Sequence, residues 1–140
     1  MDRLYGGTVD THCALIGNLG AAIGAARRRG KDEADAIAEG VDDIARETGL
    51  GREHWLVFSG RVYGGVVFRL QSSFETRTYG AYAEFACRTL KGRQKTIPAD
   101  AESARLLDAG VARCEIAGGG RDEILACLDE TLNPVIDRRG

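Results

Sequence analysis

The chain has 140 residues, 44% of them hydrophobic, and sets 19 basic against 21 acidic side chains for a formal charge of -2. That length supports one hydrophobic core, so a single domain over residues 1–140 is expected. The near-neutral balance excludes a global field drawing the molecule to nucleic acid or an anionic membrane, and either role would need a local patch. The basic runs Arg27-Arg28-Arg29 and Arg88, Lys91, Arg93, Lys95 read instead as charges at an element's end and in the loop beyond it.

The amino terminus carries Asp2 and Asp10, lacks a cluster of positive charge and shows no cleavage site of the secretory kind. The apolar run over 13–26 falls short of the ~20 residues a bilayer span requires. Cys13, Cys87, Cys114 and Cys127 form no Cys-X-X-Cys pair and no zinc-type spacing with histidine, so they read as small buried apolar residues in a reducing compartment. No metal and no cofactor is expected, and the expected location is cytoplasmic.

Thr8, Asp10 and Thr11 are each competent to cap a first helix, expected over 11–29, in which Leu15, Leu19 and Ile23 recur at one-turn spacing. Gly20-X-X-X-Gly24 within it reads as a tight seam with another helix, in this chain or in a second copy. A second helix over 32–48 opens on acidic residues and shows one apolar face at Ala34, Ile37, Ala38, Val41, Ile44 and Ala45 before Gly49 ends it.

From His54 to Gly92 the pattern favours an antiparallel sheet. Trp55, Val57, Phe58, Val66, Val67 and Phe68 are β-branched or aromatic, and Tyr79, Ala81, Ala83, Phe85 and Cys87 alternate with their neighbours. After residue 92 a short helix is expected from Asp100 or Ala101 to Gly110. A strand over 111–117 and a last helix stopped by Asn133-Pro134 complete the chain. The expected class is therefore α+β: an antiparallel sheet with two N-terminal helices on one face (residues 1–92) and a C-terminal helix-strand-helix extension (93–140).

Three stretches invite a chemical reading. Gly118-Gly119-Gly120 before Arg121 suggests an anion-binding turn, but no Lys-Ser or Lys-Thr follows it, and Asp122 and Glu123 already use the helix dipole. His12 beside Cys13 is poorly placed to activate that thiol, because sequence neighbours point about 100° apart on a helix. Tyr63, Tyr79, Tyr82 and Trp55 interleave with Arg61, Arg69, Arg77 and Arg88 in a way that could stack RNA bases, yet no RNP-type string accompanies them.

Within 55–91, Trp55 is followed by Gly60-Arg61-Val62-Tyr63-Gly64-Gly65-Val66-Val67 and then by Phe74, Gly80, Ala83 and Arg88. This stretch resembles the smallest dynein light chain family, dimeric hub proteins that capture short linear peptides along a sheet edge. The resemblance covers about a quarter of the chain. Val62 stands for the family's asparagine, Phe68-Arg69-Leu70 for its Thr-His-Glu, and nothing after Gly92 has a counterpart. It implies a peptide-docking edge at Arg61, Tyr63, Gly64 and Val67.

The expected function is a non-enzymatic interaction or assembly domain that binds a protein or linear peptide by β-strand addition and self-associates through the same edge. Arg61, Tyr63, Gly64, Gly65, Val67 and Phe68 are the candidate binding residues. The alternative is a small α/β enzyme or ligand-binding protein that uses the Gly118-Gly120 turn or a cysteine thiol.

Overall fold

A computed structural model of the chain describes residues 8–139. Six α-helices and one π-turn follow in order: α1 (Val9–Arg28), α2 (Glu33–Thr48), α3 (His54–Arg69), α4 (Thr76–Cys87), the π-turn (Arg88–Gly92), α5 (Ala101–Ala117) and α6 (Arg121–Arg139). No strand occurs among the described residues. The fold is all-helical, so the expected antiparallel sheet, the α+β class and strand addition at its edge are all corrected.

The first two helices form where capping and periodicity put them. The Thr8 hydroxyl accepts from Thr11 N at 3.2 Å, Asp32 accepts from Asp35 N at 2.9 Å, and Gly49 ends α2 in the left-handed region at φ 72°. The correction begins at α3. Leu56, Gly60, Tyr63, Val67 and Leu70 turn inward, a helical stripe that the surrounding β-branched and aromatic residues masked.

Helix α4 is the axis of the molecule. Every residue from Thr78 to Cys87 is buried, because α1, α3, α5 and α6 all pack on it. Such a helix has no polar face, and the apparent alternation of Tyr79, Ala81, Ala83, Phe85 and Cys87 reflects burial on all sides. Its closest neighbour is α1. A Cβ at Gly20 would land on the Ala83 Cβ, one at Gly24 would lie 2.5 Å from the Tyr79 ring, and one at Gly80 would lie 3.0 Å from the Gly17 carbonyl oxygen. The helix-interior glycines are thus the means by which two backbones meet, and the Gly20-X-X-X-Gly24 seam lies within the chain.

Beyond the π-turn, the 111–117 segment expected as a strand continues α5, because Leu107, Gly110, Val111 and Cys114 share one buried face against α6. Pro134 does not stop α6. Val135 and Ile136 are buried beyond it, and Asn133 and Asp137 are held by Arg93, with Lys95 also reaching Asp137 at 2.8 Å. These contacts outweigh the lost backbone hydrogen bond. No helix among the described residues is long and apolar enough to cross a membrane.

Candidate functional site

Helix α3 carries two unlike faces. The inner one packs on α2 and α1, with Gly60 against Val41 and Gly64 against Ile37. The outer one presents Trp55, Phe58, Arg61, Val62, Gly65 and Arg69, at steps of three and four residues. Two depressions run along it. One, of about 340 Å³, lies between Trp55, Phe58, Val62 and the π-turn residues Leu90 and Lys91. The next, of about 380 Å³, lies between Arg61, Val62, Gly65, Arg69 and Ile97. Phe58 is 58% exposed, and Ile116 is the other large apolar side chain left in the open among the described residues.

Most basic side chains away from this groove are held by carboxylates, with Arg113 and Arg138 as exposed exceptions. Arg29, Lys31, Arg46, Arg52, Arg77, Arg88, Arg93, Lys95, Arg105 and Arg121 each lie against a carboxylate. Arg61, Arg69 and Lys91, which line the groove, pair with no carboxylate among the described residues.

The residues expected at a peptide-binding edge divide between these faces, since on a helix they no longer alternate. Arg61 and Gly65, one turn apart, lie together on the outer groove. Tyr63, Gly64 and Val67 are buried, and burial pushes the Tyr63 hydroxyl up to about 12. Phe68 is half-buried under the Arg27 guanidinium, 4.8 Å from its ring centre. The same guanidinium donates to the carbonyls of Val67 at 2.9 Å and Leu70 at 2.8 Å, closing the end of α3. Sequence reasoning omitted Trp55, Phe58, Val62 and Arg69 from the site; their spacing of 3, 4 and 7 residues was the available signal.

The other candidates are engaged internally. Glu123 Oε1 accepts from Gly120 N at 2.8 Å in half a capping box, and the Gly119 carbonyl receives Arg77, so the glycine turn is filled. Arg121 turns away from it, donating to Asn18 Oδ1 at 2.7 Å and the Ala14 carbonyl at 3.1 Å. It also lies 3.3 Å from Glu84 Oε1, while Arg88 lies 3.5 Å from Oε2. Burial, opposed by those two guanidinium groups, still raises the Glu84 carboxyl above its usual range.

The cysteines are not free thiols. Cys13 bonds to Cys87 with Cα atoms 5.4 Å apart, and Cys114 to Cys127 at 5.6 Å. Nucleophilic thiol chemistry therefore has no reduced cysteine here, and the case for a reducing compartment loses its premise. His12 is buried beside Cys13 with its ring 5.8 Å from that of Trp55. Among the described residues no group of three His, Cys, Asp or Glu side chains converges as a metal site would require.

No protein-family model, curated protein or solved structure matches the chain.

Proposed function

We propose that this protein is a non-enzymatic interaction module whose outer α3 groove receives an acidic amphipathic helix from a partner protein. A groove wall of Trp55, Phe58, Val62 and Leu90 offers apolar contact. Arg61, Arg69 and Lys91 at its borders offer charge with no internal claimant. The fifteen positions from Trp55 to Arg69 span about 21 Å, enough for about four turns of a partner helix. Helix-in-groove recognition uses apolar anchors at i, i+3, i+4 and i+7, with flanking carboxylates meeting the rim cations. The observation that carries the reading is the conjunction of the exposed Phe58 ring with three unclaimed cations on one face.

Trp55 is the chain's one tryptophan and lines the groove, so its fluorescence reports occupancy. A synthetic peptide of roughly fifteen residues, alternating leucine and glutamate at helical spacing, should change that fluorescence saturably and more weakly as salt rises. Phe58→Asp should abolish the change, and Arg61→Glu should weaken it about tenfold. Equal binding of a lysine-bearing peptide of the same pattern would sink the reading. A concentration-dependent mass that Phe58→Asp removes would replace the partner helix by a second copy of this chain.

A further inference from the structure

A third cavity adjoins that groove at Arg69 and Ile97. It holds about 150 Å³ between the end of α3, the middle of α4, the 97–99 segment and the start of α5. Leu70, Ile97, Pro98 and Leu107 give it carbon walls. Tyr82 and Arg69 are its polar groups.

Tyr82 is 2% exposed and lines the cavity, and its hydroxyl is engaged in none of the hydrogen bonds seen among the described residues. The ring stacks on Phe85 at 6.3 Å, so packing holds the hydroxyl in place. Burial raises its pKa, the Arg69 charge opposes that rise and the Asp108 charge adds a smaller one, so it stays a proton donor across the working pH range.

Asp108 itself is committed elsewhere. It accepts from Gln71 N at 3.0 Å, Ser72 N at 3.2 Å and Ser72 Oγ at 2.6 Å, fixing the loop after α3. Arg69 is unpaired, and its charge is close enough to act on the Tyr82 hydroxyl. The cavity thus offers one neutral O–H donor, one cationic donor and apolar walls. That combination selects an anion with a hydrocarbon body. Phosphate or sulfate has no such body, and leaves the carbon walls unused at the cost of a large dehydration.

We propose that this cavity binds a small monocarboxylate with a compact apolar body, its carboxylate held between Arg69 and the Tyr82 hydroxyl and its hydrocarbon part packed on Leu70, Ile97, Pro98 and Leu107. A volume near 150 Å³ is about that of an apolar cavity that accepts benzene, so a phenyl ring or a short branched chain sets the size. This site does not depend on the α3 groove. Arg69 and Ile97 are the residues that the two share.

The test uses the full chain and sodium benzoate, followed by calorimetry or ligand-observed magnetic resonance. Benzoate should saturate with a Kd at or below about 1 mM, and benzamide, equal in shape but uncharged, should bind at least about tenfold more weakly. Arg69→Gln, a surface change, should cost about tenfold, and Tyr82→Phe, which keeps the ring and removes only the hydroxyl, about three- to tenfold. Ala104→Leu, which fills the cavity from its α5 wall, should abolish binding while the helical spectrum is kept, and serves if Tyr82→Phe fails to fold. Absence of saturation at roughly 10 mM benzoate, equal affinity for benzamide, or unchanged affinity in Ala104→Leu overturns the proposal. Because Tyr82 does not itself line the α3 groove, loss of benzoate binding in Tyr82→Phe with acidic-peptide binding retained separates this site from the docking face.

Discussion

The α1–α4 seam and the outer face of α3 are built from overlapping residue types, glycine among them, and behave as opposites. In the seam Gly17, Gly20 and Gly24 let two backbones meet, Cys13–Cys87 ties one end, and the buried Glu84 is held by Arg88 and Arg121. On the outer face Gly65 has open space, its nearest neighbour being Glu33 Oε2 at 3.9 Å, and the cations have no carboxylate. A glycine in a helix thus marks either a contact too close for a side chain or a place kept clear. What decides between them is whether another element lies opposite.

The largest expected effect separates the two disulfides. Cys13–Cys87 closes a loop of 74 residues across the seam and Cys114–Cys127 one of 13 residues between α5 and α6. Loop-closure entropy puts removal of the first, as Cys13→Ala/Cys87→Ala, at about 4 kcal/mol and of the second at about 3 kcal/mol. Urea midpoints at fixed m-value measure both. If losing Cys13–Cys87 left the midpoint unmoved, the seam would not be the rigid half of the molecule.

A matched pair of glycine substitutions sharpens the contrast at smaller amplitude. Gly20→Ala adds a methyl where Ala83 already stands, and the expected cost is about 1–3 kcal/mol. Gly65→Ala adds the same methyl to the open side of α3 and should stabilise by up to about 1 kcal/mol, since alanine is the better helix former. Thermal unfolding of the two variants beside the parent chain checks the sign of each. Like signs would erase the distinction between the faces.

The same distinction governs what could be read from the chain alone. Helix α2 was legible because Ile37, Val41 and Ile44 face inward while Asp35, Asp43 and Glu47 face water, and because Asp32 and Gly49 mark its ends. Helix α4 was not legible, since a helix surrounded by four others shows no polar face, and Gly80 with Thr76 and Thr78 lowers its intrinsic propensity. In α3 the run Val66-Val67-Phe68 and the glycines outvoted the helical stripe from Leu56 to Leu70. Of the expected binding residues, Arg61 and Gly65 share the groove because four residues return to one face of a helix; Val67, which the resemblance implied, lies in the core, and Tyr63 is buried at the floor of the groove's first depression. The Cys13–Cys87 bond was hidden by 74 residues of separation, which only the α1–α4 packing brings to 5.4 Å.

The smallest effect is a difference in pH dependence between a carboxylate of the seam and one at the surface. Burial holds the Glu84 carboxyl above its ordinary value of 4.5, so in the window just above 4.5 the folded chain binds more protons than the unfolded chain. Its contribution to stability is therefore greatest below that window and declines as pH rises through the folded value. Asp137 has the opposite sign. Its hydrogen bonds to Lys95 and Arg93 hold it below 3.8, so what it contributes is present above 3.8 and is lost as pH falls through the folded value. Glu84→Gln, a neutral near-isostere that still accepts from Arg121, should flatten the decline of stability above pH 4.5 relative to the parent chain. Asp137→Asn should instead flatten the acid limb below pH 3.8. Denaturant midpoints measured from acid to neutral pH read both slopes. An unchanged slope in Glu84→Gln would mean that Arg88 and Arg121 cancel the effect of burial, and that the seam carries its charge as easily as the surface does.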